Sequence, residues 1–276
     1  MATSGKKSFA MRTLTSLTLA ASAVGCSSTR APESAAIPQR MQIFLLAGQS
    51  NMAGRGHVEA EDRTTDPRVL MFDRAEQWVL AADPMHFDKP IAGVGPGRSF
   101  GLAIAAAEST STIGLVPAAV GGSAITSWVP AGVHAETGAH PYDEAIRRAR
   151  AAMRDGELKA ILWHQGESDA NPQGAPLYAQ RLRELIERFR SDLGAPNVPV
   201  LVGELGRFAG KPWDAPHLQV DSALRRVAAE VPNVVYVSSE GLEDRGDALH
   251  FSAAAARAFG KRYAAAYLRL AHEQRR

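Results

Sequence analysis

The chain has 276 residues, of which 45% are hydrophobic and 22% are charged, and its formal charge is +2. This balance is typical of a soluble globular protein and excludes a fibrous or intrinsically disordered chain. No linker rich in proline, glycine or serine interrupts the interior, and no internal repeat is present. The sequence therefore predicts one folded domain.

The amino-terminal segment differs from the rest of the chain in composition. Lys6, Lys7 and Arg12 precede an apolar stretch without acids that runs from Leu14 to Val24. A basic segment followed by a short apolar one is the pattern of a secretory signal peptide, and this stretch is too short to cross a membrane as a helix. We therefore expect residues 1–25 to be removed on export from a bacterial cell.

The apolar stretch ends in small residues followed by Cys26, the only cysteine of the chain. This arrangement resembles a bacterial lipobox, in which cleavage leaves the cysteine as the lipid-bearing first residue. Residues 26–40 would then tether a domain at residues 41–272 to a membrane, in the periplasm or at the cell surface, and the lipid would be its only membrane attachment. The alternative is ordinary cleavage nearby, with Cys26 free or discarded. A single cysteine excludes an intramolecular disulfide.

Removal of the signal segment also changes the charge. Residues 1–25 contain three cations and no acids, so the formal charge falls from +2 to −1. A nucleic-acid partner would require a basic face or stripe. The remaining basic residues are scattered among acids on predicted helices, so no nucleic-acid partner is expected.

Past the tether, short apolar runs alternate with longer amphipathic stretches, as in strands joined by crossover helices. Strands that are apolar throughout suit a parallel sheet covered on both faces, so we predict a three-layer α/β/α sandwich around a mostly parallel five-stranded sheet. Strands are predicted at Gln42–Ala47, Ile113–Val120, Ala160–His164, Val200–Glu204 and Val234–Val237. Helices are predicted at Ser99–Glu108, Tyr142–Asp155, Leu177–Leu193, Ala215–Val231 and Ala253–His272.

Ligand sites of open α/β sheets lie beyond the carboxyl ends of the strands. The segments that follow the first three predicted strands are rich in glycine and small polar residues: Gly48–Gly54, Gly121–Ser123 and Gln165–Asp169. Glycine allows sharp turns and lets backbone N–H groups approach a ligand, as an oxyanion site requires. A fourth polar segment, Asp247–His250, precedes the last predicted helix.

Ser50, Asp247 and His250 have the chemistry of a nucleophile with its base. Serine is a poor nucleophile until a base takes its proton, and imidazole does this best when a carboxylate fixes its tautomer. Asp247 and His250 are three residues apart in a predicted turn, so the carboxylate can reach one ring nitrogen while the other points towards Ser50. The sequence therefore predicts Ser50 as nucleophile, His250 as general base and Asp247 as its partner.

Each of these segments also has an ordinary structural explanation. Ser50 is a suitable N-cap for a short helix, and Asp247 and His250 could form a surface Asx-turn and a helix cap. The glycine pair after the second predicted strand could form only a tight turn. The acids after the third could be first-turn residues of a helix. Jointly, however, all four segments fall where an α/β active site is expected.

Together, four segments resemble the motifs of carbohydrate esterase family 6, the acetylxylan esterase and sialate O-acetylesterase-like branch of the SGNH hydrolases. The resemblance extends from about Met41 to Leu268, and it implies a flavodoxin-like fold and an acetylesterase that needs no cofactor. Met52 replaces the last glycine of the Gly-x-Ser-x-Gly motif, which argues against an ordinary α/β-hydrolase lipase. The segments are Gly48-Gln49-Ser50-Asn51-Met52-Ala53-Gly54, Gly121-Gly122-Ser123, His164-Gln165-Gly166-Glu167-Ser168-Asp169 and Asp247-x-x-His250.

The resemblance also implies roles for individual residues. The backbone N–H groups of Ser50 and Gly122 would donate to the oxyanion, with Gly121 as the alternative to Gly122. The side-chain amide of Gln165 would add a third donor, in the place where other SGNH hydrolases have asparagine. Glu167 would support the catalytic loop by holding Gln165 or His250.

The substrate implied by the resemblance is an acetylated carbohydrate, with acetylxylan or a related glycan first and O-acetylated sialic acid second. Trp128 and Trp213 could stack on a sugar ring, or both could be partly buried loop anchors. No metal site is expected, because five histidines show no metal-binding spacing and are expected in loops or at the surface. These are His57, His86, His134, His140 and His217.

Two other functions remain open from the sequence. A lipid-directed SGNH esterase or thioesterase would prefer longer acyl groups than acetate, although no extended apolar lid segment is visible near Ser50. A glycan-binding lipoprotein without catalysis is the second alternative. The intact Ser50, Asp247 and His250 argue against that alternative, because a decayed site would be expected to lose one of them.

Overall fold

A seven-stranded sheet lies at the centre of the structure, a computed structural model that describes residues 40–274 and 276. The strand order is β3-β2-β4-β1-β5-β6-β7, and every neighbouring pair is parallel except β2 and β3. The strands are β1 (Met41–Gly48), β2 (Val69–Phe72), β3 (Trp78–Leu80), β4 (Ile113–Pro117), β5 (Gly156–His164), β6 (Val200–Gly203) and β7 (Val234–Val237).

Helices cover both faces of this sheet, which confirms the predicted three-layer α/β/α sandwich. Alternate residues of β1 enter opposite cores, so Ile43 and Leu45 face one helix layer while Phe44 and Leu46 face the other. The first layer contains α3, α4 and α5, and the second contains α2 and α6. The helices are α1 (Ser50–Ala53), α2 (Pro96–Ala107), α3 (Pro141–Ala152), α4 (Tyr178–Asp192), α5 (Ala215–Glu230) and α6 (Ala253–Glu273).

The predicted number of five strands is wrong, because β2 and β3 form a hairpin at one edge of the sheet. Both strands are short, and β3 exposes Val79 and Leu80 to solvent, so neither has the continuous apolar run that marked the central strands. The connecting turn also lacks the usual glycine or asparagine. Glu76 adopts the left-handed conformation there, with φ of 60°.

Element ends differ from the prediction by a few residues. Helix α2 begins at Pro96, three residues before the predicted start, since proline is well suited to the first position of a helix. Strand β5 begins at Gly156 rather than Ala160, because exposed and buried residues alternate over its first half. The predicted end of the second strand at Val120 is also too late, although N–H groups of Ala118 and Val120 still donate to β1 carbonyls beyond the strand.

The turn that leads out of β1 requires a glycine. Gly48 has φ of 132°, and a Cβ atom there would overlap the backbone carbonyl of His164 on β5. Only glycine combines this backbone conformation with so close an approach of two strands. The turn brings the next residues, Gln49 and Ser50, onto the carboxyl edge of the sheet.

The predicted signal peptide, residues 1–25, and the Cys26 lipid site lie outside the described residues, as does nearly all of the predicted tether. Within the part of the chain that the structure describes, no helix is long and apolar enough to span a membrane.

Candidate active site

Three neighbouring strands bring the predicted site segments together at one edge of the sheet. Strand β1 lies between β4 and β5, and the backbone pairing continues past the strand ends. The N–H of Gln49 donates to the carbonyl of His164 at 2.8 Å, and the N–H of Val120 donates to the carbonyl of Gly48 at 2.9 Å. The loops after β4, β1 and β5 therefore start side by side.

Ser50 is the first residue of the one-turn helix α1 and is only 6% exposed. The N-cap position belongs to Gln49, so the alternative role of Ser50 as an N-cap is not what the structure shows. The Oγ of Ser50 lies 3.1 Å from Nε2 of His250. The serine hydroxyl is therefore within hydrogen-bond distance of an imidazole that comes from the opposite end of the chain.

Asp247 holds the other side of the imidazole. Its Oδ2 lies 2.8 Å from Nδ1 of His250, while its Oδ1 accepts the backbone N–H groups of Leu249 and His250 at 3.0 and 2.8 Å. The Asx-turn that was an alternative explanation is thus present together with the carboxylate–imidazole contact. The N-cap of α6 is Ser252, so His250 does not cap that helix.

The surroundings of Asp247 favour its ionised form. Partial burial acts to raise its pKa, but the hydrogen bonds from the His250 ring and from the two backbone N–H groups outweigh this effect and lower the pKa below the ordinary value. Arg245 adds a positive charge, since its Nε lies 3.3 Å from Oδ2 of Asp247. Arg245 also donates to the carbonyl of Arg55 at 2.6 Å. It thereby links the loop that carries Asp247 and His250, called the histidine loop below, to the segment after α1.

The glycine pair after β4 forms a tight turn in which the two N–H groups differ. The turn closes with a 3.2 Å hydrogen bond from the N–H of Ser123 to the carbonyl of Val120, and Gly122 has φ of 85°. The N–H of Gly121 donates to Asp88 at 2.8 Å. Among the described residues no acceptor lies on the N–H of Gly122 or of Ser50, so the geometry favours Gly122 over Gly121 as an oxyanion donor.

A buried ion pair lies beneath this turn. Asp88 pairs with Arg55 at 2.7 Å, and their side chains are only 1% and 4% exposed. Burial acts to raise the pKa of Asp88, but the Arg55 guanidinium lowers it below the ordinary value. Neither residue was predicted from the sequence, because Arg55 lies just past the end of the first motif and Asp88 lies in a loop without a motif.

Gln165 does not have the geometry of an oxyanion donor, which corrects the expectation from the resemblance. Its side chain is fully buried, and its amide nitrogen is surrounded by three acceptors, so neither hydrogen is left for a substrate. The amide links the loops after β1, β4 and β5 instead. The acceptors are Oε1 of Gln49 at 3.2 Å, the carbonyl of Ser123 at 3.1 Å and Oδ2 of Asp169 at 2.6 Å.

Glu167 lies in a short 3₁₀ turn after β5 and contacts neither Gln165 nor His250 by a hydrogen bond. Its Oε1 accepts the side-chain amide of Asn51 at 2.7 Å. Asp169, in the same turn, accepts the N–H of Ile125 at 2.8 Å. Asn51 was not predicted as a site residue, although it stands next to Ser50 in the first motif.

The two tryptophans differ in their surroundings. Trp128 is fully buried, its Nε1 donates to Oγ of Ser123 at 2.9 Å, and its ring packs edge-on against Trp163 at 5.0 Å. Trp128 is therefore a core anchor, and its expected stacking role is wrong. Trp213 is half-buried, and the Arg207 guanidinium lies 4.1 Å from the centre of its ring. The role of Trp213 in stacking on a sugar stays a prediction.

No group of three or more potential metal ligands occurs within the described part of the chain. His86 lies in a loop, as expected, but it is only 5% exposed. Burial lowers its pKa to about 4, so the imidazole is neutral at physiological pH.

An α/β sandwich with serine, histidine and aspartate linked by hydrogen bonds at the carboxyl edge of its sheet has the arrangement of a serine ester hydrolase. The chain belongs to the family described as "Carbohydrate esterase, sialic acid-specific acetylesterase", which matches residues 40–269. The protein is thus a carboxylic ester hydrolase of a carbohydrate acetylesterase family.

Individual relatives agree with this membership. A probable carbohydrate esterase of Arabidopsis thaliana, At4g34215, is 34% identical over 251 residues, covering 82% of this chain and 90% of the plant protein. The X-ray structure of the plant protein matches with a TM-score of 0.73 and 32% identity, over 83% of this chain and 98% of the other.

Two more distant structures share the fold. NanS matches with a TM-score of 0.66 and 17% identity, over 86% of this chain and 99% of the other. XAC1771, a carbohydrate acetylesterase from Xanthomonas citri, matches with a TM-score of 0.64 and 21% identity, over 84% of this chain and 57% of the other.

The Asp88–Arg55 pair gives a prediction about the glycine turn. Asp88→Ala removes the acceptor of the Gly121 N–H and leaves a buried guanidinium unpaired, so we expect the free energy of unfolding to fall by about 3–5 kcal/mol. Asp88→Asn keeps an acceptor for Gly121 but loses the charge. Only the alanine variant loses the hydrogen bond that fixes the glycine turn. Its kcat for p-nitrophenyl acetate should therefore be lower than that of the asparagine variant.

The matched control is Asp66→Asn, which removes a carboxylate from a partly exposed pair with Arg68. An exposed pair contributes less than about 1 kcal/mol, so this variant should unfold and turn over like the wild type. Equal kcat values for the two Asp88 variants, measured on protein shown to be folded by circular dichroism, would remove the link between Asp88 and the turn.

Proposed function

We propose that this protein removes O-acetyl groups from a carbohydrate through an acetyl-enzyme formed on Ser50. The observation that carries the proposal is the continuous hydrogen-bonded chain from Ser50 Oγ through both ring nitrogens of His250 to Asp247. The family membership supports the ester-hydrolase chemistry. The backbone N–H groups of Ser50 and Gly122, which have no acceptor among the described residues, support Ser50 as the site of attack.

In the proposed first step, Ser50 Oγ forms a bond to the acetyl carbonyl carbon while its proton passes to Nε2 of His250. The carbonyl oxygen becomes an oxyanion, and the backbone N–H groups of Ser50 and Gly122 donate to it. When the bond to the sugar oxygen breaks, His250 returns the proton to that oxygen. The sugar leaves as an alcohol, and the acetyl group stays on Ser50.

In the second step a water molecule gives one proton to His250 and its oxygen bonds to the acetyl carbon. The bond from that carbon to Ser50 Oγ then breaks, His250 returns the proton to Oγ, and the acetic acid released ionises to acetate in solvent. Asp247 stays ionised throughout and stabilises the imidazolium. Its lowered pKa supports this role, because the carboxylate then carries its charge over the whole neutral range. Gln165 has no part in these steps.

The substrate we propose is an acetylated glycan. The description of the matching family supports O-acetylated sialic acid, and the sequence motifs support carbohydrate esterase family 6 and hence acetylated xylan. Trp213 is proposed to contribute to sugar binding, because its loop adjoins the histidine loop: a Cβ atom on Gly210 would lie 3.6 Å from Cβ of Ala248.

Export and lipid anchoring are also proposed, on the pattern of residues 1–26 alone. In a bacterial host, the wild-type protein should incorporate labelled palmitate and sediment with membranes. Cys26→Ser should remain unlabelled, because serine lacks the thiol that carries the lipid. Equal labelling of both forms would contradict the anchor without touching the catalytic proposal.

The hydrogen-bonded triad of Ser50, His250 and Asp247 predicts the effect of two substitutions. Ser50→Ala should abolish acetate release, and His250→Ala should be almost as severe, with losses on the order of 10⁶-fold in kcat, since each removes an essential part of one acyl-transfer unit. Acetate is measured by an enzyme-coupled assay, and folding by circular dichroism.

The substrate class predicts a preference for short acyl groups. On p-nitrophenyl esters of increasing chain length, kcat/KM should be highest for acetate, whereas a lipid-directed esterase would favour octanoate or longer chains. Acetate release from acetylated xylan and from O-acetylated sialic acid then separates the two glycan candidates. Activity on long-chain esters with none on either glycan would overturn the carbohydrate assignment.

A further inference from the structure

We infer that Asn51 is a positioning residue that fixes His250 relative to Ser50, and that Glu167 holds the Asn51 amide in place. The inference rests on the proposed function, because it concerns how the same serine and histidine are brought into register. Asn51 makes no hydrogen bond to the side chain of Ser50 or His250. It binds the backbone on either side of His250 and the side chain of Glu167.

Asn51 binds the residues on both sides of His250. It follows Ser50 on helix α1 and is only 4% exposed. Its Oδ1 accepts the N–H of Phe251 at 3.1 Å, and its Nδ2 donates to the carbonyl of Leu249 at 3.1 Å. One side chain therefore joins the nucleophile helix to a loop about 200 residues further along the chain.

Glu167 adds a third contact to the Asn51 amide. The Leu249 carbonyl can only accept a hydrogen bond and the Phe251 N–H can only donate one, so the Asn51 nitrogen faces Leu249 and the oxygen faces Phe251. The second hydrogen of Nδ2 is donated to Oε1 of Glu167 at 2.7 Å, which holds the amide in this orientation. Nδ1 of His164 also faces Glu167, at 3.8 Å from Oε1, so the carboxylate lies in a buried polar pocket beneath the loop.

All the hydrogen-bonding groups of the Asn51 amide are used in this arrangement, so the site requires asparagine. The carbonyl of Leu249 and Glu167 take the two hydrogens, and Phe251 uses the oxygen. An aspartate of the same size could bind Phe251 but could not donate to the other two groups. Because the contact between Ser50 and His250 is 3.1 Å, a loop shift of 1 Å is enough to break it.

The test begins with Asn51→Asp, assayed with p-nitrophenyl acetate. The new carboxylate faces the Leu249 carbonyl and the Glu167 carboxylate, so the histidine loop should move away from Ser50. We expect kcat to fall about 100-fold, as misplacement by 1 Å does in other enzymes, with KM within about twofold. The matched control is Asn233→Asp, in a loop asparagine before β7 that bonds to the backbone of Asn197, and this variant should retain wild-type kcat.

A second substitution separates positioning from general stabilisation. In the double variant Asn51→Asp/Glu167→Gln, the glutamine amide can donate to the new carboxylate and restore one of the lost links. We expect kcat to recover about tenfold relative to Asn51→Asp, while Glu167→Gln alone loses only a few-fold. A purely structural Asn51 predicts a lower melting temperature, wild-type kcat in the folded protein and no such recovery.

The outcomes distinguish this inference from the proposed function. Activity in Ser50→Ala would remove the proposed function and this inference with it. An inactive Ser50→Ala together with wild-type kcat in folded Asn51→Asp would overturn the positioning role alone. If Asn51→Asp is not recovered folded, Asn51→Ser takes its place, because a hydroxyl is too short to bridge both backbone groups, and wild-type kcat in that variant overturns the inference equally.

Discussion

The site depends on one geometric constraint, which is that β4, β1 and β5 are adjacent, parallel and end at the same edge. Parallel strands place the loops after their carboxyl ends side by side, so the glycine turn, Ser50 and the segment from Gln165 to Asp169 meet there. Hydrogen bonds past the strand ends extend this alignment into the loops. Only the histidine loop has to be attached separately, since it follows the edge strand β7.

Buried carboxylates hold the loops around the site in place. Asp88, Asp169 and Glu167 lie below the surface of the site, and each one binds a loop group that is itself fixed in position: the N–H of Gly121, the N–H of Ile125 and the amide of Asn51. An unpaired charge in such surroundings is costly, so each carboxylate stabilises the loop conformation that supplies its donor. Burial raises the pKa of Asp169 for the same reason. Asp247 differs, because its side chain is 37% exposed.

The central fold and the triad could be predicted from the sequence, because both depend on local patterns. Apolar runs identify buried strands, and Ser50, Asp247 and His250 stand in motifs whose chemistry is recognisable. The edge hairpin could not be predicted in this way, since β2 and β3 are short and their turn has no glycine. The direction in which a side chain points could not be predicted from the sequence either. Gln165 follows β5 as expected, yet its amide points into the protein, and nothing local distinguishes that orientation from one facing a substrate.

The inward orientation of Gln165 changes how the oxyanion can be stabilised. With that amide used by Gln49, Ser123 and Asp169, the remaining donors at the site are backbone N–H groups, whose positions are set by turns and not by rotamers. The N–H groups of a turn point in a fixed direction only if other contacts stabilise the turn. This explains why an ion pair as costly to bury as Asp88–Arg55 lies directly beneath Gly121. In this protein the precision of the proposed oxyanion site therefore comes from buried charge that acts on the backbone, one layer below the atoms that would meet the substrate.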